Sequence, residues 1–172
     1  FVVGAWVNFL PTYLTRAKGF SGPVAAGLFA VVFIVGIVVK PAAGFVSDHV
    51  PRRAVAAGGL LFGVGALAGV VLADSLGVVA GAIAIYAIGY KTVFPVADAL
   101  LLDAAPDANV GGDLGAARAV FIGVGALGPV YMGSLAQVAS FEAAFVGLGA
   151  CLVVAAALFL WGLWGGFSRA PP

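Results

Sequence analysis

Two lysines interrupt otherwise apolar stretches of this sequence. Lys40 follows a long hydrophobic run and precedes Pro41, and Lys91 lies within a second apolar stretch. An ammonium group in an apolar medium either loses its proton or is neutralised by a negative charge. No Asp or Glu lies in the middle of any apolar stretch, so Lys91 is predicted to meet an anion, or a carboxylate from another part of the protein. For Lys40 we expect a structural or gating role.

Two pairs of uncharged polar residues have helical spacing. Asn8 and Thr12 are four residues apart, as are Tyr86 and Tyr90. Residues four apart lie on one face of a helix, so each pair offers a ligand neighbouring hydrogen-bonding groups. Each pair is therefore a candidate for ligand contact, with packing as the alternative role for the tyrosines.

Catalytic and metal-binding chemistry has little support. Cys151 is the only cysteine and His49 the only histidine, which leaves no disulfide and no Cys/His metal site. An intramembrane serine protease needs a histidine within the membrane, and His49 lies in a polar turn. A net charge of +1 gives no reason to expect a nucleic-acid partner.

Three aspartates, Asp98, Asp103 and Asp107, suggest comparison with the magnesium ligands of intramembrane transferases. Those enzymes use tighter spacing, and Pro106 interrupts any helix that Asp103 and Asp107 could share. We therefore predict a solvated loop here, with no catalytic residues, no metal and no cofactor.

The medium that surrounds the chain must itself be apolar. Hydrophobic residues make up 63% of the 172 and charged residues 9%, whereas about a quarter of a soluble domain is charged. A helix needs about 20 mostly apolar residues to cross a bilayer. Six segments meet or approach this length and predict an all-α membrane bundle: residues 1–15, 24–47, 53–73, 76–102, 113–137 and 141–166. Because the first begins inside an apolar run, we expect a fragment that lacks upstream residues.

The distribution of basic residues predicts the orientation. An even number of spans puts both ends on one side, and cytoplasmic ends satisfy the positive-inside rule. The cytoplasmic set is then Arg52, Arg53, Arg118 and Arg169, against Arg16 and Lys18 outside. Arg118 is expected to anchor its helix at the interface.

Glycine and tryptophan positions predict packing. Three Gly-x3-Gly pairs would let helix backbones approach closely: Gly59 with Gly63, Gly65 with Gly69, and Gly77 with Gly81. All three tryptophans lie near predicted span ends, which is typical of interfacial anchors; they are Trp6, Trp161 and Trp164.

The turn after the second predicted helix carries a motif, GFVSDHVPRR at residues 44–53. It resembles the signature loop of the major facilitator superfamily, which reads Gly, three residues, Asp, a basic residue, any residue, Gly and two basic residues. The matching positions are Gly44, Asp48, Arg52 and Arg53. His49 replaces the first basic residue and Pro51 the second Gly, a degenerate form that the second half of that family tends to show.

Two further stretches resemble the same family. Residues 9–14 and 18–21 look like the end of its seventh helix and the following loop, and Gly128-Pro129 looks like the Gly-Pro pair of its eleventh helix. The exporter form of that pair continues with two residues and two glycines, whereas here three residues precede the single Gly133. The resemblance covers the whole chain as the C-terminal six-helix half of a twelve-helix transporter, with an N-terminal half as the alternative.

The resemblance implies a secondary active transporter that moves a small solute by alternating access between two halves, each built from 3+3 inverted repeats. Lys91 makes an organic or inorganic anion the candidate solute. It places the cavity on the first and fourth helices, which carry Asn8, Thr12, Tyr86, Tyr90 and Lys91. Gating is assigned to Lys40, Gly44, Asp48, Arg52 and Arg53, and helix packing or hinge motion to Gly128 and Pro129.

The implied partners are a small-molecule substrate, the lipid bilayer and a missing N-terminal half of the same chain, without nucleic acid. The bias toward Ala, Val and Gly favours a prokaryotic plasma membrane. Two alternatives to transport stay open on the residues alone, an intramembrane enzyme and a non-transporting membrane scaffold.

Overall fold

Six α-helices form the architecture in this computed structural model, which describes residues 1–104 and 110–164. They are α1 (Val2–Arg16), α2 (Gly22–His49), α3 (Arg52–Leu72), α4 (Leu76–Ala104), α5 (Val110–Val138) and α6 (Phe141–Trp164). No strand occurs within those residues, and the prediction of a six-helix all-α membrane bundle is confirmed. Asp107, Arg169 and the last two residues of the predicted sixth span lie outside the described residues.

Five of the described helices, α2 to α6, are long and apolar enough to cross a membrane. A helix satisfies its own backbone hydrogen bonds, which lipid cannot do, so apolar segments of this length fold as helices in a bilayer. The helix α1 has 15 residues, fewer than the 18 that a candidate membrane span requires.

Internal prolines reveal a repeated three-helix pattern. The helices α1, α2, α4 and α5 each contain one, at Pro11, Pro41, Pro95 and Pro129. In α2 and α4 the proline lies at the same distance from the first helical residue (22 to 41 and 76 to 95). Two helix contacts follow the repeat. If α1, α2 and α3 correspond to α4, α5 and α6, the contact of α2 with α4 corresponds to the contact of α5 with α1, and both are present.

Aromatic side chains run through the core. Trp6 is fully buried, with its ring centroid 4.3 Å from Tyr86 and 5.6 Å from Phe145. Tyr13 continues the row, 4.7 Å from Phe145. The prediction that Trp6 anchors at the interface is therefore wrong: it packs α1 against α4 and α6. Trp161 is largely exposed, as an anchor should be.

One of the three predicted glycine pairs joins two helices through its backbone. A Cβ added to Gly59 would lie 2.8 Å from the Gly89 carbonyl oxygen, and one added to Gly89 would lie 2.9 Å from the Gly63 nitrogen. Small residues thus let α3 and α4 touch backbone to backbone. Among residues 1–104 and 110–164, no atom of a neighbouring element lies within 4 Å of a Cβ added to Gly65, Gly77 or Gly81.

Candidate functional site

Lys91 lies at the seam between α2 and α4 and is half-buried. Its stem crosses the bare backbone of α2 at Gly36, where a Cβ would lie 3.0 Å from the Lys91 Cε. The ammonium nitrogen is 4.8 Å from the ring centroid of Tyr90 and 5.3 Å from that of Phe33. Both distances fall within the range of about 6 Å in which an aromatic face attracts a cation.

Lys40 shares this seam from the opposite helix. It follows Gly36 by four residues on α2, and residues at that spacing lie on one helix face; its side chain is exposed. Within residues 1–104 and 110–164 neither lysine forms an ion pair with a carboxylate, whereas Lys18, Arg52 and Arg118 each do.

The predicted tyrosine pair divides between packing and the seam. Tyr86 is fully buried with its ring tilted against that of Trp6, and its hydroxyl has no hydrogen-bond partner among the described residues. Tyr90 lies 5.6 Å from Tyr86 and also contacts the ammonium of Lys91. Both tyrosines line an apolar cavity of about 610 Å³, which Lys91 does not line. Tyr90 is therefore the link between that cavity and the lysine.

Asn8 and Thr12 are not brought to Lys91 by a direct contact. The Asn8 side-chain nitrogen donates to the Gly4 carbonyl one turn back, 2.7 Å away, and the residue is exposed. Thr12 is half-buried. The α1 residue that reaches α4 is instead Trp6, through the ring of Tyr86.

The signature loop is built around Arg52. Its guanidinium is 3.6 Å from the Asp48 carboxylate and forms a closer pair with Asp103 at the end of α4. Arg53 donates to the Gly162 carbonyl, close to the last described residue of α6. No atom lies within 4 Å of a Cβ added to Gly44. The loop thus connects α2, α3, α4 and α6 through charge and hydrogen bonds.

Gly128 and Pro129 lie at the contact of α5 with α1. A Cβ on Gly128 would come within 2.5 Å of the Ala5 nitrogen and the Phe1 carbonyl oxygen. Proline cannot donate to the carbonyl four residues earlier, which here belongs to Gly125, and α1 packs against that carbonyl through Gly4.

An ion pair between Arg118 and Asp98 joins α5 to α4, at 2.9 Å. Arg118, which was expected to act as an interfacial anchor, is exposed, and its guanidinium has a carboxylate partner. The pair was detectable in the sequence, because Asp98 lies shortly before the end of α4 and Arg118 shortly after the start of α5. Opposite charges at similar depth on consecutive antiparallel helices predict such a pair. By contrast, nothing in the sequence indicates that Phe33 and Gly36 flank Lys91.

Two comparisons with known proteins bear on this arrangement. The family profile of the Major Facilitator Superfamily matches residues 1–171. No curated protein matches the chain. A match over nearly the whole chain, together with the apolar helices and the signature loop, identifies a multi-pass membrane protein. The chain belongs to the major facilitator superfamily of membrane transporters.

Proposed function

We propose that this chain is the C-terminal half of a secondary active transporter, which moves a small anionic solute by alternating access. The partner half would be six further helices of the same chain, in a prokaryotic plasma membrane. Lys91 contacts the solute, Tyr90 borders the same site, and the signature loop joins the helices that rearrange.

The observation that carries this proposal is a half-buried ammonium without a carboxylate partner among the described residues. Lys91 lies on α4, within a span, and ionisable residues in spans are costly and are the default candidates for a transport pathway. The rings of Phe33 and Tyr90 offset part of the cost, but they add no negative charge. A solute carboxylate or phosphate would supply it.

A permanent carboxylate partner from the other half is the competing explanation for Lys91. One measurement on the full-length carrier, the stability of Lys91→Ala without ligand, separates the two explanations. If the partner is permanent, Lys91→Ala leaves a buried carboxylate unpaired and lowers stability without ligand by roughly 3–5 kcal/mol. If the partner is the solute, the ligand-free protein keeps its stability.

Transport kinetics test the proposal directly. Anions are first screened for their ability to raise the thermal stability of the purified full-length carrier. Those that do are then tested as solutes in uptake assays with proteoliposomes. We expect Lys91→Ala to raise the apparent KM at least tenfold, about 1.4 kcal/mol, and Lys91→Arg to retain part of the affinity because it keeps the charge. Arg16→Ala, which removes an exposed charge outside the site, is the control. An unchanged KM in Lys91→Ala, or a cationic solute, would refute the proposal.

A further inference from the structure

We propose that Gly36 is a positioning residue. Because it has no side chain, the stem of Lys91 can pass along the α2 backbone and place the ammonium between the rings of Phe33 and Tyr90. This inference rests on the proposed function in one respect, since a fixed ammonium matters most if it meets a solute. The geometry itself is independent of any solute.

The Lys91 side chain occupies the space that a residue other than glycine would fill. A Cβ at Gly36 would lie 3.0 Å from Cε, 3.2 Å from Cδ and 3.6 Å from Cγ of Lys91. Three consecutive stem carbons therefore lie along the α2 backbone, and Gly36 is buried beneath them. A lysine stem that is free to rotate would not keep this line of contacts.

Other glycines of α2 do not have this role. Within the described part of the chain, a Cβ added to Gly22, Gly27 or Gly44 would meet no atom of another element within 4 Å. The absence of a side chain is therefore used at Gly36 and has no steric consequence at those three positions.

Two aromatic rings complete the position of the ammonium. Phe33 precedes Gly36 by three residues and lies on the same face of α2, while Tyr90 comes from α4. The glycine sets the path of the stem, and the rings attract its charged end. A group held by its surroundings in this way contacts a ligand with little reorganisation.

An alanine at Gly36 should displace the lysine and leave the helix in place. The atoms that its methyl would meet belong to the flexible end of a side chain rather than to a backbone, so Lys91 can move. The ammonium should then leave the two ring faces.

Nuclear magnetic resonance of the full-length carrier in detergent, labelled with ¹³Cε-lysine, can test this without a substrate. The Lys91 signal is assigned by its loss in Lys91→Arg. Protons over aromatic faces resonate upfield, so we expect the wild-type Lys91 Hε signal upfield of that of Lys40. Gly36→Ala should move it downfield, and Gly27→Ala, the same change in the same helix, should not. An unmoved signal in Gly36→Ala, or an equal shift in Gly27→Ala, would overturn the inference.

A folding defect in Gly36→Ala is resolved by a second variant. In the Lys91→Ala background the new methyl has no lysine to meet, so the double variant should be as stable as Lys91→Ala alone. A defect that persists there would show that Lys91 is not what Gly36 accommodates. If Lys91→Ala leaves the KM unchanged while the Lys91 signal lies upfield and moves in Gly36→Ala, the proposed function is rejected and the positioning role remains.

Discussion

At the scale of single residues, glycines without side chains and a proline without an N–H determine the contact of α1 with α5. Pro129 leaves the Gly125 carbonyl without its helical donor, and α1 lies against this carbonyl at Gly4, while Gly128 faces the backbone of Ala5. Glycines on both helices allow the backbones to meet, as is common for helix pairs in lipid. The Gly-Pro pair therefore lies at a close backbone contact between the two helices.

We predict that Gly128→Ala destabilises the protein by about 1–3 kcal/mol, as overpacking typically does. The new methyl would meet backbone atoms of α1 at 2.5 Å, and a backbone cannot move aside as a side chain can. Gly123→Ala is the matched control on α5, because nothing lies within 4 Å of its Cβ and alanine favours the helix. Unfolding of the full-length protein in detergent measures both, and equal stability of the two variants would contradict this account.

The sequence predicted which residues share a helix face, because spacing alone determines this. It did not predict which residues are buried against another helix, because that depends on the facing helix. Gly59 and Gly63 meet α4, while Gly77 and Gly81 have the same spacing and face open space. Spacing fixes which residues share a helix face, but it does not show which face meets a neighbour. Trp6 was misassigned for the same reason, since its burial depends on helices far along the chain.

At the scale of helices, α3 is held at both ends by cations. At its C-terminal end the Lys18 ammonium donates to the carbonyls of Val71 and Ala73, each at 2.7 Å, and lies 3.5 Å from Asp74. At its start Arg53 reaches the last turn of α6. Hydropathy predicted that the helices exist, because lipid demands long apolar segments, but these terminal contacts need residues that are distant in sequence.

Removing the cation at the end of α3 should cost stability. We predict that Lys18→Gln destabilises the protein by about 1–3 kcal/mol, since the side chain is mostly buried and two carbonyls lose a charged donor. Arg16→Gln removes a nearby exposed charge and should stay within about 0.5 kcal/mol of wild type. Thermal unfolding that ranks Arg16→Gln as the more harmful change would refute this role for Lys18.

At the scale of the whole molecule, the ion pairs concentrate at one end of the bundle. Arg52 with Asp48 and Asp103, and Arg118 with Asp98, lie at the end that we propose to be cytoplasmic. Lys18 and Asp74 lie at the opposite end. The first set joins α2 and α3 to α4, and α4 to α5. An orientation with this end inside puts Arg52, Arg53 and Arg118 on the cytoplasmic side, as the positive-inside rule favours.

Thiol labelling in intact cells can test that orientation with one residue at each end. Cys151 is exposed on α6, so the variants carry Cys151→Ser to remove its reactivity. His49→Cys replaces the last residue of α2, which is exposed at the proposed cytoplasmic end. Asp74→Cys replaces a side chain that is 98% exposed at the other end. We expect a membrane-impermeant maleimide to label Asp74→Cys from outside and His49→Cys only after the cells are permeabilised, because two ends of a membrane-spanning bundle face different compartments. Labelling of His49→Cys in intact cells, with Asp74→Cys protected, would invert the orientation and place the signature loop outside.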